Sequence, residues 1–225
     1  MSRVASAPAG TRGFDANNVT TTVAGLFAKA GYEFAVRYIR RDQARPTDLS
    51  APEIAALHKA GLAVMPVQHV ESEDSWYPTD DKGRLYGANA VDACRKVQLP
   101  AGVSVWLDLE GVATDVDPEE VVRYCNSWFD AVAGAGFSPG LYVGWQPGLT
   151  PQQLHVRLKF TRYWASYNLN LDQYPAGRGV CMQQRATSPA NVPKGVGFQI
   201  DTDVVQTDGL GGLPSMWAPD EWGIL

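Results

Sequence analysis

The sequence predicts an α/β fold: a single TIM-like (β/α) barrel whose helices are incomplete in the C-terminal third. Short apolar runs rich in Val, Ile and aromatic residues alternate with amphipathic stretches, a pattern typical of parallel βαβ units. A chain of 225 residues is long enough for one barrel core. We therefore expect one domain over residues 1–225, with a flexible N-terminal segment at 1–11 and a C-terminal tail at 209–225 that forms a loop.

The first half of the chain alternates strands and helices at regular spacing. Strands are predicted at 13–16, 34–39, 62–67 and 103–109, and helices at 19–30, 51–60 and 86–97. Gly31 and Gly61 end the first two helices, as glycine commonly does. Ser50 and Glu53 form a capping box for the second helix, with Pro52 in its first turn. The long polar loop at 68–84 has a length that is often functional.

The second half continues the alternation with shorter units. A helix opens at 117 and ends at 135, a strand follows at 140–143, and a short helix is predicted at 152–158. Three more strands, at 163–166, 180–183 and 197–200, complete a set of eight. These last strands are too close together for full crossover helices. The barrel should therefore be closed but incompletely helical.

Charge and hydropathy exclude several classes of partner. The formal net charge is −5 and no dense run of Lys or Arg occurs, which argues against nucleic acid or anionic lipid as a ligand. No apolar segment is long enough to cross a bilayer. We expect a monomer that is not inserted in a membrane and that acts on a neutral or mixed-charge substrate.

The cysteines and histidines do not indicate a metal site or a cofactor. Cys94, Cys125 and Cys181 are scattered without ligand spacing and are interpreted as buried thiols. His69 follows the third strand and could reach the mouth of the barrel, but one histidine does not make a metal site. The sequence also has no phosphate-binding loop and no Gly-x-Ser-x-Gly motif.

The fourth strand ends in a pair of acids on one face. Residues two apart in a strand project to the same side, so Trp106, Asp108 and Glu110 should face the barrel interior while Leu107 and Leu109 face the helices. Active sites of such barrels lie where the strands end at their C-terminal face. Two close carboxylates in a cleft raise the pKa of one of them, which supplies a general acid. The alternative is a pair that caps a loop or forms a salt bridge.

Other strand ends carry acids as well. Asp15 ends the first predicted strand and Asp201 ends the last, and these two strands are neighbours in a closed barrel. Four acids, Asp15, Asp108, Glu110 and Asp201, should therefore converge on one mouth. Asp203 is expected to have a surface or supporting role.

These motifs resemble the glycoside hydrolase family 25 lysozymes and the related glycoside-hydrolase-like domain of unknown function 1906. The likeness covers nearly the whole chain. Its motifs are Gly13-Phe14-Asp15, Trp106 to Gly111, Gly140-Leu141-Tyr142, Tyr163-Trp164-Ala165-Ser166-Tyr167, Gln183 and Ile200-Asp201-Thr202-Asp203. Departures from the family 25 pattern are Ala16-Asn17-Asn18-Val19, Met182 and Asp203, and they are closer to the second group.

The resemblance implies cleavage of the β-1,4 bond between N-acetylmuramic acid and N-acetylglucosamine in peptidoglycan. Glu110 would donate a proton to the leaving oxygen. Asp108 would stabilise the transition state or orient the substrate N-acetyl group as an internal nucleophile, with retention of configuration. Asp15 and Asp201 would complete the acidic cluster, and Tyr142 would hydrogen-bond the sugar.

Aromatic side chains at strand ends are candidates for sugar binding, because their flat faces stack on pyranose rings. Trp145, Trp164 and Tyr167 form this set, with Trp164 the preferred member, and the resemblance adds Gln183. The alternative for each aromatic residue is packing in the core or at the rim.

The leading hypothesis is a peptidoglycan-degrading muramidase, either a phage endolysin or a bacterial effector or cell-wall enzyme. Residues 1–12 lack the regions of a secretory signal, so we expect synthesis in the cytosol and action at the cell wall or periplasm after export by another route. Two alternatives remain: a degenerate barrel that binds carbohydrate or peptidoglycan without cleaving it, and a hydrolase of another glycan.

Overall fold

The computed structural model describes residues 2–186 and 188–222 and confirms the α/β barrel. The strands are β1 (Arg3–Ser6), β2 (Arg12–Ala16), β3 (Phe34–Ile39), β4 (Ala63–Gln68), β5 (Ser104–Leu109), β6 (Ser138–Val143), β7 (Tyr163–Ala165), β8 (Met182–Arg185), β9 (Asp201–Val205) and β10 (Ser215–Ala218). The helices are α1 (Ala24–Lys29), α2 (Ala51–Lys59), α3 (Asp80–Lys96), α4 (Pro118–Gly134) and α5 (Pro151–Val156), with 3₁₀ turns at Leu171–Gln173 and Pro189–Asn191.

The barrel closes through strands β2 to β9. Their order around the wall is β4-β3-β2-β9-β8-β7-β6-β5, and β5 returns to β4 where Trp106 pairs with Val67. Pairing is parallel from β2 through β3, β4, β5, β6 and β7 to β8. The expectation of a closed barrel with incomplete helices in its C-terminal third is confirmed, since 3₁₀ turns replace crossover helices after α5.

The last barrel strand differs from its prediction in position and direction. It spans Asp201–Val205 rather than 197–200, and it runs antiparallel to both β2 and β8. The segment between β8 and β9 holds a short 3₁₀ turn and no crossover helix. Asp201 therefore begins β9 instead of ending it, which leaves its side chain at the same mouth.

Alternation along the strands divides the buried residues into two cores. Trp106 belongs to the cluster inside the barrel, with Met65 and Trp164, while Leu107 and Leu109 belong to the layer between the barrel and its helices. This is the arrangement expected for β5 from its sequence. Cys94, Cys125 and Cys181 are buried thiols, as predicted.

Both chain ends are more ordered than the sequence suggested. Residues 3–6 of the expected flexible segment form β1, and residues 215–218 of the expected loop form β10, its antiparallel partner. Trp217 pairs with Val64 at the start of β4, and Ser104 Oγ accepts a 2.9 Å hydrogen bond from the amide of Ser215. The two strands thus close the floor of the barrel, opposite the mouth. Residues 1 and 223–225 of the predicted end segments lie outside the described residues.

Side-chain caps set where the helices begin. Ser50 Oγ accepts from the Glu53 amide, as the sequence predicts for α2, but the Glu53 carboxylate accepts from Thr20 and Arg37, so the predicted capping box is only half formed. Thr79 caps α3 in the same way, through the Lys82 amide, so this helix begins at Asp80 instead of residue 86. The loop between β4 and α3 is correspondingly shorter than predicted. Across the described ranges, no helix is both long and apolar enough to span a membrane.

Candidate active site

A cleft of about 1170 Å³ opens at the carboxyl ends of the parallel strands. Asp15, Asp108 and Asp201 line it, together with Tyr38 and Tyr167. The predicted convergence of these three aspartates from β2, β5 and β9 is therefore present in the structure. Glu110 lies beside the cleft rather than among its lining residues, on the side of β6.

Asp15 is held inside the barrel by a relay of hydrogen bonds. Its Oδ2 accepts a 2.9 Å hydrogen bond from Gln184 Nε2, and Gln184 Oε1 accepts one of 3.0 Å from the Tyr142 hydroxyl. Burial raises the pKa of Asp15 to about 7, with a further rise from Asp201 and an opposing effect of Gln184 and Arg37. This carboxyl group is thus close to half-protonated at neutral pH.

Asp108 is the more deeply enclosed acid of the β5 pair. Only 3% of the residue is exposed, and its Oδ1 has no hydrogen-bond partner among the described residues. Burial raises the pKa of Asp108 well above its usual range, followed by the charges of Glu110 and Glu73, while the backbone amide of Val70 lowers it. A buried oxygen without a partner is available to a ligand that enters the cleft.

Glu110 lies just past the end of β5, against the start of the β6–α5 loop. A Cβ atom at Gly144 would come within 2.5 Å of Glu110 Cβ and 3.0 Å of its Cδ, so the carboxyl group fills the space that this glycine leaves. Burial and then the charge of Glu73 raise the pKa of Glu110 to about 7, against a lowering effect of the Trp145 amide. Near neutral pH, Glu110 therefore keeps a substantial protonated fraction, as a general acid requires.

Strand register brings the β9 acids against β2. Asp201 pairs with Asp15 and Asp203 pairs with Gly13. Asp203 is only 1% exposed, so the surface role allowed by the sequence is wrong. Burial raises its pKa well above the usual range, with added effects of Asp15 and Asp201. This residue is an interior member of the acidic cluster.

Trp164, the preferred aromatic for sugar stacking, is not available for it. The residue is 0% exposed and packs edge-on against Trp106 and Tyr142 at centroid distances of 5.8 and 4.5 Å. Its inward direction follows from strand alternation, but these neighbours enclose its ring completely. Tyr142 is also buried, and its hydroxyl donates to Gln184.

Gln183 was assigned to the site and faces away from it. Its amide donates to the Tyr174 hydroxyl at 2.8 Å and accepts from Gln206 at 2.7 Å, both outside the barrel interior. The inward residue is Gln184, which sequence reasoning missed. A one-residue difference in strand register exchanges the two faces, and the apolar run before Gln183 gave no alternation from which to choose.

Two of the proposed sugar-binding aromatics are exposed. Tyr167 is 53% exposed and lines the cleft, and Trp145 is 51% exposed next to Glu110. Their role in sugar stacking stays a prediction.

The β4–α3 loop is fixed beside the acids. Gly111, with a φ of 62°, lets the loop approach closely, since a Cβ there would be 2.5 Å from the Glu73 carbonyl oxygen. Trp76 Nε1 donates a 2.7 Å hydrogen bond to the Glu110 carbonyl oxygen, and Trp76 also bridges to Val112. Glu73, which the sequence did not single out, is thereby placed near both β5 acids. No group of three or more His, Cys, Asp or Glu within residues 2–186 and 188–222 is arranged to hold a metal ion.

Comparison with known proteins adds family and fold to this geometry. Among solved structures, the Tat-secreted protein Rv2525c of Mycobacterium tuberculosis, in complex with L-tartrate, is 17% identical with a TM-score of 0.62, over 92% of this chain and 99% of that one. A family 25 glycosyl hydrolase from Bacillus anthracis is 13% identical with a TM-score of 0.60, over 88% and 89% of the two chains.

An uncharacterized B. stearothermophilus protein is 19% identical with a TM-score of 0.62, over 88% of this chain and 96% of that one. At these identities the likeness shows the fold alone. None of the curated proteins matches the chain. The model of the Rv2525c-like, glycoside hydrolase-like domain matches residues 26–205, and the chain therefore belongs to that family.

Proposed function

We propose that this protein is a retaining glycoside hydrolase of the muramidase type, which cleaves the β-1,4 bond between N-acetylmuramic acid and N-acetylglucosamine in peptidoglycan. Such a substrate would place its action at the cell wall, and we propose that it acts there as a monomer. The observation that carries the proposal is the pairing of Glu110, whose pKa is about 7, with the buried Asp108 two residues before it on the same face of β5.

The roles of the two acids follow from their surroundings. Glu110 is partly exposed and partly protonated, so it can give a proton to the leaving oxygen. Asp108 holds an unpartnered oxygen in the cleft, where it can orient the N-acetyl group of the substrate as the internal nucleophile.

Aromatic rings and relatives support a glycan as the ligand. Tyr167 and Trp145 expose ring faces at the mouth, where pyranose rings could stack. Solved structures with the same fold include the autolysin LytC of Streptococcus pneumoniae in complex with a synthetic peptidoglycan ligand. That protein is 12–13% identical, and this chain covers 47% of it.

The test is release of sugars from purified peptidoglycan. Wild-type protein should release reducing ends, and Glu110→Gln should lower the rate by about 100-fold or more because it removes the transferable proton. Glu120→Gln is the matched control, since Glu120 pairs only with Arg123 on the surface of α4. If wild type and Glu110→Gln release equally little sugar while both are folded, the enzyme proposal is wrong.

A second candidate is a barrel that binds peptidoglycan or another carbohydrate without cleaving it. The position of Glu110 beside the cleft, and not in its lining, favours this candidate. It predicts that the protein sediments with peptidoglycan while releasing no sugar. A panel of glycans would separate both candidates from a hydrolase of a different polysaccharide.

A further inference from the structure

The cleft has two cations on the side away from the acids of β5, which we call its basic side although Asp15 and Asp201 also lie there. Glu73 and Asp74 lie on the β4–α3 loop, next to the acids of β5. Arg45, between β3 and α2, and Lys194, between β8 and β9, line the same cleft. Because β3, β2 and β9 are consecutive around the barrel wall, these two cations stand on the side away from Glu110 and β6.

Arg45 is held in place by a buried histidine. Its Nη1 lies 3.2 Å from His69 Nδ1, and His69 Nε2 lies 3.2 Å from Asp48 Oδ1. Burial and then the charge of Arg45 lower the pKa of His69 to about 4, so the ring is neutral at pH 7. A neutral ring protonated on Nε2 satisfies both contacts, since it accepts from Arg45 and donates to Asp48.

The same histidine connects Arg45 to Tyr38, which lines the cleft. His69 is 7% exposed, and its ring stacks on Tyr38 at a centroid distance of 4.6 Å and an angle of 26°. Tyr38 lines the cleft, and the charges of Asp15 and Asp108 contribute to its raised pKa. Arg45 itself is exposed, so its guanidinium group contacts His69 and remains accessible at the cleft.

Neither cation is neutralised by the protein. Within the described part of the chain, no carboxylate oxygen lies within 4.0 Å of a side-chain nitrogen of Arg45 or Lys194. Asp48, three residues after Arg45, instead accepts a 2.7 Å hydrogen bond from the Arg45 backbone amide and contacts His69. A guanidinium group that lines a cleft and has no carboxylate partner in the protein is suited to binding a planar carboxylate of a ligand.

We propose that Arg45, together with Lys194, binds a carboxylate substituent of the glycan in the cleft, so that the site selects polysaccharides that carry carboxylates over neutral ones. This rests on the proposed glycan-cleaving function and assigns to these two residues the recognition of the anionic group. The acids of β5 act on the glycosidic bond, and the basic side sets which sugar chain lies across them.

The experiment compares two forms of one ligand. Peptidoglycan glycan strands without peptides, which carry lactyl carboxylates, are compared with the same strands after methyl esterification, by calorimetric binding and by sugar release. Wild type should bind the carboxylate form about fivefold to tenfold more tightly at low salt, and the difference should shrink as salt screens the contact. Arg45→Gln should bind both forms alike, Arg45→Lys should keep part of the preference, and Lys194→Gln should reduce it.

Lys59→Gln is the matched control, because Lys59 is exposed at the far end of α2 and should leave the preference unchanged. Equal binding of both forms by wild type, or an unchanged preference in Arg45→Gln, overturns the proposal. A preference in binding without any sugar release contradicts the proposed hydrolysis and leaves the carboxylate site supported. If neither form binds, both ideas are wrong. Thermal unfolding of each variant checks that it is folded.

Discussion

The carboxyl group of Glu110 rests directly against the backbone of Gly144. This contact crosses from the end of β5 to the end of β6, and the Trp145 amide follows at once and lowers the pKa of the same carboxyl group. Glycine at 144 is needed for space and not for backbone freedom, because its φ is outside the positive region. The position of the proposed acid, Glu110, therefore depends on residue 144 having no side chain.

Gly144→Ala should accordingly displace the Glu110 carboxyl group and lower turnover by about 100-fold, because a shift of about 1 Å is enough for such a loss. Gly134→Ala is the control, since a Cβ there meets nothing within 4 Å at the end of α4. Sugar release and urea unfolding would be measured for both. Full activity in Gly144→Ala would contradict the assigned position of Glu110.

The rate should fall as pH rises through about 7. Glu110 must carry a proton to act as an acid, and its pKa of about 7 means that the protonated fraction drops tenfold for each pH unit above that value. Since the charge of Glu73 helps to raise this pKa, Glu73→Gln should move the alkaline limb of the kcat/KM profile to lower pH. An alkaline limb at the same pH in both proteins would argue that another group controls it.

Asp15 should make the protein less stable at alkaline pH. Its pKa is raised from 3.8 to about 7 on folding, so its contribution is fully present below pH 4 and is lost as pH rises through 7. The loss is about 4 kcal/mol at most for a shift of this size. Asp15→Asn keeps an acceptor for Gln184 and should flatten the decline in the free energy of unfolding between pH 4 and pH 8. Urea titrations at both pH values measure this, and parallel declines would refute it.

Neighbouring glutamines on β8 offer a test of which face reaches the site. Gln184→Leu removes the donor to Asp15 and the acceptor for Tyr142, so it should raise the pKa of Asp15 further and reduce kcat about tenfold. Gln183→Leu loses bonds outside the barrel and should cost about 1 kcal/mol of stability with kcat unchanged. The reverse pattern of kcat values would restore Gln183 to the site.

The sequence predicted the site best where a strand alternates clearly. At the end of β5, Asp108 and Glu110 alternate with Leu107 and Leu109. The sequence therefore showed directly that Asp108 and Leu109 lie on opposite faces of the strand. The run Val180-Cys181-Met182, which leads into β8, is apolar throughout and buried. The sequence therefore did not show which residues of β8 face the barrel interior, and Gln184 was missed. For Trp164 the inward direction of the side chain was predicted correctly. Its enclosure by Trp106 and Tyr142 depends on neighbouring strands and not on the local pattern.

The local sequence pattern also could not predict the direction of β9 or the pairing of β1 with β10. The direction of β9 follows from its pairing with β2 and β8, which becomes visible only once its bounds are known. β1 is a four-residue strand whose partner, β10, lies about 210 residues away. Neither strand alone has the composition of a barrel element.

The pairing of β1 with β10 also indicates where the protein can be immobilised, labelled or fused to another protein. Arg3 lies opposite Ala218, so β1 and β10 lie side by side at the floor, at the pole opposite the cleft. A surface linker, a label or a second protein fused to either end would leave the mouth facing outward and unobstructed. A short peptide could also join the two ends, which would allow new termini to be opened in an exposed loop without changing the acidic cluster.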